Sequence, residues 1–355
     1  MKHNNVPVTA TNRGPTIEEL EMIGSQYAED AGGCTRPPTT VFTDQSAGTA
    51  LLSLIVFLEV IIKNRNGTNH VHAGYDDKRD SKSMLKLCRD NEFILSGYRP
   101  ASGSLSKSFK SIRQLHNETI NIWSHLLGGL IFATLPIFVY VTVLPRYDNA
   151  RTGDIIVFST FFFGVAICFF LSAYFHVVAN HSEKVAAFGN QLDYLGVVVL
   201  MWGSTIPSVY YGFYCNSRLQ KIYWSVVSIL AVACVVTTLN PRFRHPSLRP
   251  YRAAMYSGLG LSAIVFIIHG LIIYGWEIQK YRMSLAWMGL MALLNLIGAA
   301  IYASRIPERW YPMKHDIFGT SHQILHFMVI FAGLAHMVGL LKAFDHLHSQ
   351  QSPCA

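Results

Sequence analysis

His322 and His326 stand four residues apart in an apolar run near the end of the chain. On a helix that spacing puts both imidazoles on one face, a turn apart, where they can reach a single metal ion. His176 and Asp193 lie in two other apolar runs, and Ser172 falls one turn before His176 on the same helical face. An ionisable group inside a membrane span costs roughly 2.5–3.5 kcal/mol on insertion scales, so each such position is a functional candidate. Three imidazoles with an open fourth position form the arrangement of a catalytic zinc, whereas closed structural sites use four protein ligands, often Cys. Asp193 would complete the sphere, or it would accept a hydrogen bond from a water at the open position, orient that water and take its proton. Ser172 could bond to the site or to a polar group of a substrate. Plainer readings stand beside these. A lone histidine in a span most often bonds a neighbouring helix, and His125 and His269 are read that way. Asp193 alone could be an inter-helix contact or a proton-relay group.

The composition defines the scaffold that must bring these residues together. Of 355 residues, 51% are hydrophobic and only 14% charged, against a usual charged share of roughly 25%. Residues 1–118 hold 14 Lys/Arg and 13 Asp/Glu, and residues 119–355 hold 15 and 8, so +7 of the formal charge of +8 sits in the apolar part. That excludes an ordinary soluble domain. Basic residues beside apolar spans mark cytosolic membrane loops, which argues against a nucleic-acid partner. Seven stretches reach the roughly 20 residues a membrane helix needs: 120–144, 155–178, 188–214, 222–240, 253–275, 283–304 and 317–341. Six carry no Asp, Glu, Lys or Arg, and the third carries only Asp193. The expected fold is an all-α membrane protein of seven transmembrane helices.

With the N-terminus cytosolic, twelve loop Lys/Arg fall on the cytosolic side and seven opposite. The positive-inside rule then places the C-terminus outside or in a lumen. His176 ends the second span at the cytosolic level. Asp193 and His322 enter outward-running spans by about five residues, roughly 8 Å deep, and His326 is one turn deeper. Three helices thus deliver these groups to one layer; His336, most of a membrane away, is set aside.

Residues 1–89 are expected to form a cytosolic, largely disordered region, with an interfacial or buried helix at 50–62 and a linker at 64–82. Residues 90–118 form a juxtamembrane segment, 119–343 the seven-helix domain and 344–355 a short tail. Over 105–116, Leu105, Phe109, Ile112 and Leu115 fall near one helical face, with Lys107, Lys110 and Arg113 elsewhere. That pattern suits an amphipathic helix on the anionic inner leaflet. The sequons at Asn66 and Asn117 are expected to stay unmodified on the cytosolic side. Only Cys215 and Cys354 share an oxidising side, nothing indicates that they pair, and no CxxC occurs. Neither a disulfide framework nor a thiolate metal site is expected.

The segments HNETINIWSHLLG (116–128), SAYFHVVANHSEKV (172–185), LDYLGVVVL (192–200), ASRIPERWYP (303–312) and GTSHQILHF (319–327) resemble the adiponectin-receptor and progestin/adipoQ-receptor membrane family, related to haemolysin III. DNEFILSGYRP (90–100) resembles the segment preceding the first helix in that family. The resemblance implies seven helices with the N-terminus cytosolic and the C-terminus external. It implies Zn2+ near the cytosolic side on His176, His322 and His326, with Asp193 as the carboxylate that contacts a water there and Ser172 as a motif serine nearby. It associates the chain with hydrolysis of a ceramide-like membrane lipid and with lipid-metabolism and zinc-homeostasis signalling. Hormone binding does not carry over, and the outer loops identify no extracellular ligand. The leading expectation is an intramembrane zinc amidase in the plasma membrane or an endomembrane. Its rivals are a non-enzymatic receptor with a structural zinc and a zinc or proton-coupled transporter. The transporter ranks last because the fourth and sixth spans offer little polar path beyond Asn295.

Overall fold

The computed structural model describes residues 91–240, 249–351 and 354; the expected helix at 50–62 and the linker at 64–82 lie outside them. A short helix α1 (Leu105–Lys110) and a 3-10 turn (Ser111–Arg113) precede the helical bundle. The bundle consists of α2 (Thr119–Phe138), α3 (Thr152–Val178), α4 (Glu183–Gly212), α5 (Ser217–Leu239), α6 (Arg249–Arg282), α7 (Leu285–Ser304) and α8 (Ser321–His348). Helix α2 continues through a π turn and a 3-10 turn to Arg146. Seven helices are long and apolar enough to cross a membrane, and no strand occurs among the described residues.

The boundaries differ from the hydropathy reading where local chemistry overrides it. The seventh span begins at Ser321 rather than 317, because Gly319 takes a positive φ of 78° and Thr320 caps the helix. The fifth carries polar residues on to Arg282, past a non-helical Gly275. The helix expected over 105–116 is shorter. Its buried residues are Ser108 and Ser111, while Leu105, Phe109 and Leu115 are about half exposed.

The α3–α4 pair positions Asp193. Gly189, Gly196 and Gly203 recur every seven residues along α4, forming a seam. A Cβ at Gly196 would stand 2.9 Å from Cys168 Cα, and one at Gly203 would stand 2.8 Å from the Thr160 carbonyl. The two backbones touch along this seam, as small residues permit in membrane helices. Asp193 lies four residues after Gly189 and three before Gly196, so it shares the seam's face.

At the other end of the bundle, Asp154 is fully buried at the start of α3. It accepts hydrogen bonds from the Tyr211 hydroxyl (3.0 Å) and the Arg151 amide (2.8 Å), and its Oδ2 lies 3.2 Å from His348 Nε2. His348 Nδ1 also bonds Asn149 at 3.0 Å, so the end of α8 is tied to the α2–α3 connection. Contrary to expectation, Cys215 and Cys354 form a disulfide, with Cα atoms 5.4 Å apart. Their sequence separation of 139 hides the pair from any spacing argument.

Candidate metal centre

Two helix ends carry the three histidines, and both ends are anchored by polar side chains. His176 is in the last turn of α3, whose final carbonyls lack partners within the helix. Arg99 supplies them: its guanidinium donates to the His176 carbonyl and, at 3.0 Å, to that of Val177. A cation there also complements the negative end of the helix dipole. At the start of α8, Thr320 and Gln323 form a reciprocal capping box. The buried Glu308 carboxylate accepts from both the Ser321 amide and the Ser321 hydroxyl. These contacts fix the turns that present His322 and His326.

The three rings surround one point. Their centroids are 5.1 Å apart for His176–His322, 4.9 Å for His176–His326 and 4.9 Å for His322–His326, close to an equilateral triangle. One nitrogen from each lies within 4.8 Å of the others. His176 Nδ1 bonds Glu118 Oε2 at 2.8 Å, and its Nε2 is buried with no hydrogen-bond partner. With Nδ1–H given to the carboxylate, the lone pair sits on Nε2, facing the cluster. An orphaned buried nitrogen among imidazoles fits a metal cation, and a carboxylate behind a ligand is the usual outer support of such a site. His326 is supported in turn by the Ser124 hydroxyl, 3.2 Å from its Nδ1.

Glu118 also accepts from the Asn121 side chain at 2.7 Å. Burial works against its charge, but the facing imidazole of His176, the Asn121 amide and His322 outweigh that and hold its carboxyl well below the usual range. Asp193 approaches from α4, with the Ser172 hydroxyl and the His176 ring as neighbours of its carboxyl and the Cys168 thiol within reach of its charge. A cavity of about 210 Å³ reaches the cluster, with Glu118, Asn121, His322, Tyr302 and Arg305 in its walls.

Of the five residues singled out by spacing and depth, His176, His322 and His326 form the triangle, and Asp193 on α4, with Ser172 on α3 beside it, lies within electrostatic reach of His176. His269 behaves as expected, its Nδ1 bonding Tyr223 on the adjacent α5 at 2.6 Å. His336, ten residues beyond His326 on α8, bonds the Ser204 carbonyl at 3.0 Å and takes no part. His125 departs from its reading. It makes no hydrogen bond and lies against the His326 ring. Spacing also missed Glu118 and Arg99, although both sit inside the quoted segments 116–128 and 90–100.

A haemolysin-III-related family model matches residues 113–337. The chain is 43% identical over 259 residues to the adiponectin receptor protein of Drosophila melanogaster, covering 73% of this chain and 58% of that protein. It is 41% identical over 264 residues to progestin and adipoQ receptor-like protein 1 of Caenorhabditis elegans, covering 74% and 60%. It is 37% identical over 260 residues to the ADIPOR-like receptor IZH2 of Saccharomyces cerevisiae, covering 73% and 82%. The matched region thus spans less than two thirds of the first two relatives.

Proposed function

The chain belongs to the haemolysin-III-related family of multi-pass membrane proteins, and from that premise we propose that it is a Zn2+-dependent intramembrane amidase acting on a ceramide-type lipid. The observation that carries the reading is the buried triangle of His176, His322 and His326, with the orphaned Nε2 of His176, beside the carboxylate of Asp193. Those histidines would hold the ion through three nitrogens, leaving the fourth position open. Zn2+ bound there supplies Lewis acidity, easing deprotonation of water near neutral pH and polarising a carbonyl.

The chain's own groups do the rest. Asp193 Oδ takes a proton from the attacking water as its oxygen bonds to the amide carbon. The C–N bond then breaks, and the same carboxyl returns the proton to the leaving amine, giving a carboxylic acid and an amine. Ser172, the hydroxyl neighbour of that carboxyl, would donate to Asp193 and hold it at the site. Glu118 keeps the His176 ring oriented through Nδ1. The apolar helix faces let a lipid acyl chain stay in the bilayer while its amide enters the site.

The orientation belongs to this proposal: N-terminus cytosolic, C-terminus outside or lumenal. The Cys215–Cys354 disulfide supports it, since such bonds persist on oxidising sides. It lies beyond the end of α4 remote from Asp193. A second reading is a receptor with a purely structural metal, favoured by the way the ligands join the ends of α3 and α8. One experiment separates them: metal content and lipid-amide turnover of the purified protein, before and after chelation. About one zinc per chain, with turnover lost on chelation and restored by Zn2+, supports the amidase. Turnover that survives chelation refutes it; bound zinc without turnover favours the receptor.

A further inference from the structure

His125 is buried on α2, a helix that contributes no ligand to the triangle. Neither of its ring nitrogens makes a hydrogen bond. Both ring faces, by contrast, are covered. One lies on His326 with centroids 3.7 Å apart and planes inclined by only 12°; the other lies on Phe169 at 4.6 Å and 25°. The result is a three-layer sandwich, His326 on His125 on Phe169, joining α8, α2 and α3.

A metal-ligating imidazole binds through a lone pair in the plane of its ring, so the ring's rotation decides where that lone pair points. Ser124 meets the His326 ring at one nitrogen, an edge contact that does not by itself set the tilt of the ring plane. A flat aromatic slab against the face sets that tilt, and Phe169 fixes the slab from behind. Side chains packed onto the α2 backbone hold the sandwich shut: a Cβ at Gly128, three residues beyond His125, would meet the Phe169 ring at 3.0 Å and the Ile330 side chain at 3.3 Å.

We propose that His125 is a positioning residue for the metal centre, acting through its ring face: wedged between Phe169 and His326, it locks the plane of the His326 imidazole. The inference rests on the metal reading of the triangle, and its test is arranged so that the two can fail separately.

The test is Zn2+ affinity by chelator competition on the purified full chain, with the visible spectrum of the Co2+-loaded protein as a report of ligand geometry. Comparison is among wild type, His125→Phe, His125→Leu and His125→Ala. Phe keeps the slab and removes the nitrogens; Leu keeps bulk without a flat face. Losing a supporting contact behind a ligand typically weakens metal binding about 10–100-fold. His125→Ala and His125→Leu should show such a loss and an altered Co2+ spectrum, and His125→Phe should stay within about threefold of wild type. Where the Ala variant does not fold, Phe169→Leu, which removes the backing of the sandwich, should weaken Zn2+ several-fold. Wild-type affinity in His125→Leu or Phe169→Leu overturns the proposal, as does a Phe variant no better than Leu, which would assign the role to the nitrogens. A wild-type protein that binds no divalent metal overturns the metal reading itself.

Discussion

Glu118 and His176 meet across 58 residues of chain, the carboxylate Oε2 standing 2.8 Å from the ring's Nδ1. Glu118 immediately precedes α2, and His176 is in the last turn of α3. The pair therefore joins the start of one span to the end of the next and aims Nε2 of His176 at the other two rings. Glu118→Ala should lower Zn2+ affinity by about 10–100-fold, and Glu118→Gln, which still offers a carbonyl oxygen to Nδ1–H, should lose less. Chelator competition reads both. Unchanged affinity in the Ala variant would show that the ring is oriented by its packing alone.

On the proposed amidase reading, Asp193 separates chemistry from metal binding. Asp193→Asn preserves the shape and still accepts from Ser172, but it cannot take a proton from water. Lipid-amide turnover should fall by about 10²–10⁴-fold, the usual worth of a general base. Zn2+ content should remain near wild type, because the three imidazoles are intact. Loss of both together would make Asp193 a ligand instead, the alternative that the residue spacing leaves open.

The spans were legible because lipid demands long apolar runs, and the histidine cluster because histidines are scarce enough in those runs to sort by depth. What escaped depends on rotation and on distance along the chain. His125 sits in a span like His269, and only the azimuths of α2 and α6 decide that the first ring stacks on His326 while the second bonds Tyr223. Glu118 is one of 13 acidic residues in the polar front, with nothing in its neighbours to set it apart. The Cys215–Cys354 pair needs the end of α8 folded back beside the α4–α5 connection, which no local pattern encodes.

The glycine seam gives a prediction about packing. Gly196→Ala puts a methyl 2.9 Å from Cys168 Cα, backbone that has no room to yield, so α3 and α4 must separate. Overpacking of this kind costs about 1–3 kcal/mol and should lower the unfolding temperature in detergent. It should also reduce turnover, since Asp193 moves with α4 away from Ser172. Gly258→Ala on α6 is the control: a Cβ there meets nothing within 4 Å, and better helix propensity should leave stability equal or slightly raised. Equal stability of the two variants would mean that the seam is looser than its geometry.

His116 gives a pH dependence of defined sign. Its Nε2 bonds the Ser111 carbonyl at 3.2 Å, and its Nδ1 accepts from the Glu118 amide at 3.1 Å. A second ring proton would break the Glu118 contact. Burial, with the Arg99 guanidinium adding to it, brings the ring from an ordinary 6.5 down to about 4. The unfolded chain therefore binds this proton more readily than the folded one. Its contribution to stability is full above about pH 6.5 and is lost progressively as pH falls towards 4, amounting to about 3 kcal/mol at most. His116→Gln, which can keep one donor and one acceptor but does not titrate, should flatten the fall in unfolding temperature over that window relative to wild type. The measurement is thermal unfolding in detergent at half-unit steps from pH 7.5 to 4. Parallel curves for the two proteins would assign the acid sensitivity to other groups and would show that the segment before α2 is not held through this ring.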